Sequence, residues 1–406
     1  MDRWNCSRRA RCADCLVILM AVALPWSTTA FGILAGIWLV SFAAISRLDE
    51  LWKLFRSPQC AFPLALFSLS LIGMLWADVP WPARVSAAST FVKLLAIPLL
   101  IYQFERSRKG VDVFLAFLAS CTVLLVLSWL NWFDPRTIVF SDRVVGVPVK
   151  NWITQGTEFT LCIFGAGALS IVNWRSRKYP ASLGFGLLSL AFLLNIIFVV
   201  ASRTALVLLP VFFVIATYRY IDRRQRIMLY GTALLAFGLA WLVSPNLQDR
   251  IASIRSQFTA YEEKAELASV GLRIEYWTKS LKFFQEAPFY GHGTGTIRAL
   301  FERDATKATI GAEVVANPHN QTFYCAIQWG TVGVILLWAM WVCHLCTFQP
   351  QSWVSWLGTL IVLQNVFSSL FNSHITDFVE GWIYVLGVGI TIGMTFYTRN
   401  LEQPNR

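Results

Sequence analysis

His319 is the residue best suited to move a proton. It stands in Asn317-Pro318-His319-Asn320, just ahead of a long apolar stretch. Asn317 fits a helix N-cap and Pro318 the first helical position. That reading puts His319 in the first turn, at the positive end of the helix dipole. The field there disfavours an imidazolium, so the ring stays neutral near pH ~7. A neutral ring can take a proton as a general base. The same position also suits an interfacial histidine bonded to backbone, and the motif leaves both readings open. A second feature is Arg203, in Ser202-Arg203-Thr204, which interrupts a largely apolar run from Leu187 to Pro210. An arginine at mid-membrane costs about 2.5–3.5 kcal/mol on insertion scales, and less near an interface, where it snorkels. A guanidinium kept there asks for an anionic partner; the alternative is a plain hairpin cap.

Other ionisable residues carry weaker signals. His292 lies in the glycine turn Gly291-His292-Gly293-Thr294-Gly295, and His374 sits near Asp377 and Glu380. Either could touch a substrate, although His374 reads better as a helix cap. Lys93, inside an apolar stretch, pairs with Glu158 or with an anionic ligand. The pairs Cys12/Cys15 and Cys343/Cys346 have a spacing that zinc can use, but small apolar residues at span ends explain them as well. Glu302 and Asp304, two apart, diverge on a helix. The chain has no glycine-rich loop of the ATPase type and no serine nucleophile elbow. The expected chemistry therefore uses no nucleotide, no cofactor and no metal.

The elements that position these residues are membrane helices. Hydrophobic residues make up 56% of the 406 and charged residues 14%, against about 25% charged in soluble domains. With 18 Trp and 30 Phe, the composition excludes a cytosolic enzyme, a secreted domain and a disordered tail. The expected fold is an all-α polytopic membrane protein, a single membrane-embedded domain over 1–406. A span needs about 20 apolar residues. Twelve transmembrane helices are read, at 12–28, 29–46, 60–76, 87–104, 111–132, 152–173, 181–200, 203–220, 227–244, 320–346, 353–371 and 381–398. A helical loop over 245–318 is the largest segment between spans. Within it Ile251, Ile254, Phe258 and Tyr261 form one apolar stripe. A second helix is read at 272–286, with Trp277, Leu281 and Phe284 on its apolar side, and a short one at 295–304.

Basic residues set the orientation. They crowd the N-terminus and every second loop: Arg3/Arg8/Arg9/Arg11, Arg47/Lys53/Arg56, Arg106/Arg108/Lys109, Arg175/Arg177/Lys178 and Arg219/Arg223/Arg224/Arg226. Both termini are thus expected in the cytoplasm, with the long loop on the other face. The net charge of +11 is then a topology signal toward anionic membrane lipids, not evidence for nucleic acid. On this topology Arg84, Arg143, Lys150 and Arg273 face outward, as His319 and Arg203 do. Guanidinium forks fit phosphate oxygens bidentately and lysine acts as a point charge. Several of them in one cavity would bind a diphosphate; each alone is a solvated loop charge.

Three motifs carry a family resemblance. One is His319-Asn320-Gln321-Thr322-Phe323, followed by Gly330 and Gly333. Another is Arg273…Trp277…Pro288…Gly291-His292-Gly293-Thr294-Gly295. The last is Ser202-Arg203-Thr204-Ala205. In their order and topology the chain resembles the O-antigen ligase and polymerase superfamily, with Phe323 where its members often carry Leu. The resemblance implies a GT-C-like membrane glycosyltransferase of the bacterial inner membrane, with a periplasmic loop and a periplasmic active site. It implies an undecaprenyl-diphosphate-linked glycan as donor and the lipid A–core as acceptor. His319 would take the catalytic role and Arg203 the diphosphate, with Arg143 and Arg273 as further contacts. An O-antigen polymerase and a protein O-oligosaccharyltransferase share these motifs. A lipid-linked-sugar flippase is a different class; its repeat symmetry is not seen in this sequence.

Overall fold

The computed structural model describes residues 8–136, 145–200, 202–245, 248–249, 252, 269–305, 314–348 and 352–402. Among them every regular element is a helix. In chain order these are α1 (Arg8–Ala23), α2 (Thr28–Ala43), α3 (Leu48–Phe55), α4 (Pro58–Ile72), α5 (Trp81–Ser89), α6 (Ala96–Phe104), α7 (Gly110–Phe133), α8 (Trp152–Arg175) and α9 (Tyr179–Asn195). Then come α10 (Arg203–Tyr220), α11 (Arg223–Val243), α12 (Ser269–Glu286), α13 (Ile297–Asp304), α14 (Gln321–Thr347), α15 (Trp353–Ser368) and α16 (Phe378–Glu402). Arg143 and the stripe from Ile251 to Tyr261 lie outside the described residues.

The all-helical membrane architecture is as expected; the number of spans is coarser than twelve. Six helices are long and apolar enough to cross a bilayer, and up to eight if each of two bent pairs is one span. Three shorter apolar helices, including α4 and α15, accompany them. The differences have local causes. The stretch read as 87–104 is broken: α5 gives way to a 3-10 turn at Val92–Leu95 before α6, with a bend of 40°. The chain also turns by 114° between α2 and α3. Helix α3, read only as a basic loop, carries Asp49 and Glu50 in its first turn while Leu48 and Trp52 stay exposed.

Two packing features fix the elements around His319. Helix α16 lies close against α6 because Gly389 and Gly393 face it. A Cβ at Gly389 would come within 2.6 Å of the Leu100 Cβ, and one at Gly393 within 2.8 Å of the Phe104 Cβ. Small residues are the usual means of close helix approach where the surrounding solvent is lipid. Helix α14 is interrupted at Gly330, whose φ of 59° and ψ of −151° are not helical. The interruption exposes the carbonyls of Ile327 and Gln328, and the glycine turn claims them. His292 N–H donates to Ile327 O and Gly293 N–H to Gln328 O, each at 2.9 Å, while Thr331 N–H returns to Pro288 O at 2.8 Å. The turn is therefore strapped into the kink, with positive φ at Gly291, Gly293 and Gly295.

Helices α12 and α13 match the helical readings of the long loop, with one correction. The buried face of α12 carries Tyr276, Lys279, Ser280 and Phe283, whereas Leu281 is exposed. The apolar side read through Trp277, Leu281 and Phe284 is displaced by one residue. The buried face is partly polar, and hydropathy alone does not reveal a face that includes Lys279. That lysine is neutralised by Glu275 at 3.4 Å.

Candidate active site

The N-terminus of α14 is capped one turn later than the sequence suggests. Asn320 is the N-cap, and its side chain accepts from the N–H groups of Thr322 and Phe323 at 2.9 and 3.1 Å. Asn317 does other work. Its Oδ1 accepts the His319 N–H at 2.9 Å, a turn that Asn side chains favour. Its Nδ2 donates to Asn372 Oδ1 at 3.0 Å. His319 thus precedes the helix instead of sitting in its first turn. Its φ is 54°, a left-handed conformation that is uncommon outside glycine. Such strain gathers at functional sites.

The ring of His319 is held on two sides. It stacks on Tyr276 of α12, with centroids 5.8 Å apart and planes 24° apart. Tyr276 is itself buried edge-on against Phe301 of α13. On the other side His319 Nδ1 lies 3.0 Å from Asn372 Oδ1. Asn372 Nδ2 donates to Asp377 Oδ2 at 2.7 Å, and His374 Nδ1 meets the same oxygen at 3.1 Å. The segment that carries Asn372 and Asp377 runs between α15 and α16. It is pinned to α14 by Gln321 N–H to Ser369 O and by Ile375 N–H to Gln321 Oε1. Lys93 anchors it from below by donating to the carbonyls of Thr376 and Asp377. Lys93 thus pairs with this loop, not with Glu158.

Burial pushes the His319 pKa below its ordinary 6.5, and the nearby charges of Arg273 and His374 add to the shift. The Asn372 hydrogen bond and the Asp377 charge oppose it. The shift favours the neutral ring, with burial as its main cause and not the helix dipole.

The other candidate cations divide. Arg273, half-buried on α12 one turn before Tyr276, is the cation brought to His319. Arg203 opens α10 as its first residue, with Ser202 as N-cap; its side chain lies outside the described residues. Arg84 donates to the carbonyls of Val79 and Met74, both at 2.7 Å, and lies over the Trp81 ring. Lys150 donates to Leu24 O; burial lowers its pKa, opposed by Glu158 and Glu380. No described contact joins Arg84 or Lys150 to His319. His292 gives its ring to Phe283 O at 2.8 Å. His344 is buried between Tyr384 OH and Gln59 O. Sequence reasoning missed Asn372 and Tyr276, and named Asp377 only as a neighbour of His374. An Asn-x-x-x-x-Asp spacing just before a span, opposite a capped histidine, was the available signal.

His374, Asp377 and Glu380 offer one ligand atom each within 4.8 Å of one another, a metal-like spacing. The surroundings oppose a cation there. Asp377 Oδ2 already serves Asn372 and His374, Glu380 Oε1 accepts from Thr154 at 2.7 Å, and Lys93 stands beside the group. An apolar crevice lies elsewhere, among Phe114, Phe117, Leu161, Trp353, Ile383 and Met394.

Against this geometry stands one comparison. Residues 188–338 match a family model described as O-antigen ligase. The matched segment runs from α9 into α14 and takes in Arg203, Arg273, Tyr276, the glycine turn and His319. No curated protein matches the chain.

Proposed function

We propose that the chain, whose residues 188–338 resemble the O-antigen ligase family, transfers a glycan from undecaprenyl diphosphate to the lipid A–core oligosaccharide. The family supports the coarser statement that this is a bacterial membrane enzyme of the ligase or glycosyltransferase kind, with a lipid-linked glycan and a lipid acceptor. The finer reading rests on one observation: a half-buried His319, its pKa lowered by desolvation and by the Arg273 charge, at the mouth of α14. In this reading His319 takes the proton from the attacking sugar hydroxyl. The anomeric C–O bond breaks and its electrons go to the diphosphate, which leaves. Arg273 stabilises the charge that builds there, with Arg203 and Arg143 as further contacts and Lys150 and Arg84 as outlying candidates. One displacement inverts the anomeric centre. The leaving group is already activated, so the step requires no ATP.

The test is a reconstituted transfer. Purified protein, undecaprenyl-linked glycan and rough lipopolysaccharide should yield a longer lipopolysaccharide without nucleotide and in the presence of chelator. His319→Ala should lower transfer by about 10²–10⁴-fold, the range for loss of a general base. Full transfer by that variant removes the histidine-base mechanism. The same donor offered to lipid A–core, to a second lipid-linked glycan and to a pilin-like peptide distinguishes ligase from polymerase and from protein oligosaccharyltransferase.

A further inference from the structure

A general base needs more than neutrality: the right ring nitrogen must be bare. His319 Nδ1 faces Asn372 Oδ1 at 3.0 Å, while Nε2 has no hydrogen-bond partner among the described residues. Which nitrogen carries the proton depends on which way the Asn372 amide points. Two neighbours fix that direction. Asp377 Oδ2, at 2.7 Å, is a carboxylate oxygen and accepts only, so the amide NH2 must face it. Asn317 Nδ2, at 3.0 Å, is a donor, so the amide oxygen must face it. With both satisfied, Oδ1 is presented to His319 and Nδ1 must be the N–H.

We propose that Asn372 is a positioning residue that holds His319 as its Nδ1–H tautomer and leaves Nε2 as the base, with Asp377 fixing the Asn372 amide. This assignment gives the mechanism above its reacting atom and rests on that reading for its catalytic meaning. The geometry supports it from three elements. Asn372 and Asp377 belong to the loop before α16, Asn317 to the segment before α14, and Tyr276 of α12 stacks on the ring. Lys93 reaches the same loop from its 3-10 turn, with its ammonium on the backbone carbonyls of Thr376 and Asp377. The charged and titratable groups facing the ring are thus Arg273, Asp377, His374 and the stacked Tyr276. During transfer the hydroxyl proton passes to Nε2, the ring becomes an imidazolium, and Nδ1–H keeps its bond to Asn372. No proton has to travel through the amide.

The chain has four histidines, so nitrogen-15 histidine spectra of the whole protein in lipid nanodiscs contain four rings, and H319G identifies the one of interest. At pH ~8, where histidine is ordinarily neutral, the wild-type ring should carry its proton on Nδ1. In N372L it should shift to Nε2–H, with kcat lower by on the order of 10²-fold and KM little changed. The exchange N372D/D377N moves the carboxylate next to the ring and the amide to the outer position. It should restore the Nδ1–H signal and transfer, with the acid limb of the rate moved to higher pH because a carboxylate favours the imidazolium. A wild-type ring protonated on Nε2, or an Nδ1–H ring that persists in N372L, overturns the assignment. Should N372L fail to fold, D377N decides the matter in its place: a mixture of the two tautomers supports the assignment and an unchanged spectrum refutes it. The spectrum reads the tautomer whether or not His319 proves to be the base, so the two ideas can fail separately.

Discussion

His319 combines two properties that a merely structural histidine would not need together. Its backbone is left-handed at φ 54°, and its side chain is half-buried beside Arg273 and Asp377. The first property costs stability. A non-glycine residue in that region is disfavoured by about 1–2 kcal/mol, so H319G should be more stable than H319A by about 1 kcal/mol, although both lose the ring. Thermal unfolding of the two purified variants checks this; equal stability would mean that the strained backbone relaxes at no cost. The second property sets a pH window. Burial and the Arg273 charge lower the His319 pKa, so on the proposed mechanism the neutral form should persist below the ordinary 6.5 and transfer should be lost only as pH falls through the lowered value. Removing the guanidinium removes one lowering influence. R273Q should therefore weaken transfer and also move the acid limb of kcat upward, toward 6.5. A limb that stays in place would separate Arg273 from the ring, whatever its effect on rate.

At the level of elements, the kink in α14 decides where His319 can stand. Gly330 occupies a region of φ and ψ that is essentially closed to other residues. A Cβ there would lie 2.4 Å from the Phe289 carbonyl carbon, which is backbone and does not yield. G330A should destabilise the protein by about 1–3 kcal/mol, the usual cost of overpacking. It should also loosen the glycine turn, read as faster amide exchange at His292 and Gly293. Normal protection at those amides would show that the strap does not depend on the kink. How much of this the sequence carried can be said residue by residue. Glycines at 291, 293, 295 and 330 were visible as a pattern, and apolar length gave most of the helices. The hydrogen bonds that strap the turn join residues far apart in the chain, which no local pattern announces. Likewise Asn317 looked like the cap because side-chain type and spacing allowed it. Asn317 spends its Oδ1 on the His319 N–H and its Nδ2 on Asn372, 55 residues on, and the cap falls to Asn320. Lys93 was legible as an anomaly, but its partner was not.

For the molecule as a whole, the question is which side of the bilayer holds His319. The alternation of basic loops gave one answer from composition, and the contacts between helix ends supply an independent argument. Arg175 reaches Tyr220 O, Arg219 reaches Ser352 O, Arg399 reaches Thr347 O and Arg106 pairs with Glu50. All of these ends fall on the basic side of the alternation. Thr294 joins Gly73 O, Lys150 joins Leu24 O, and His319 joins Asn372; all of these fall on the other. A wrong count of spans between any two of these pairs would have put their members on opposite faces, about 30 Å of hydrocarbon apart. The helix breaks therefore change the number of long spans without disturbing the alternation. The proposed sidedness rests on the basic residues, which favour the cytoplasm. Single cysteines placed at two exposed aromatics, Tyr290 at 71% and Trp174 at 63% exposure, test it in a background without the native cysteines. In cells with a permeabilised outer membrane, an impermeant maleimide should label Y290C at once and W174C only after lysis. The reverse pattern would put His319 in the cytoplasm, away from any periplasmic acceptor, and the proposed transfer could not take place there.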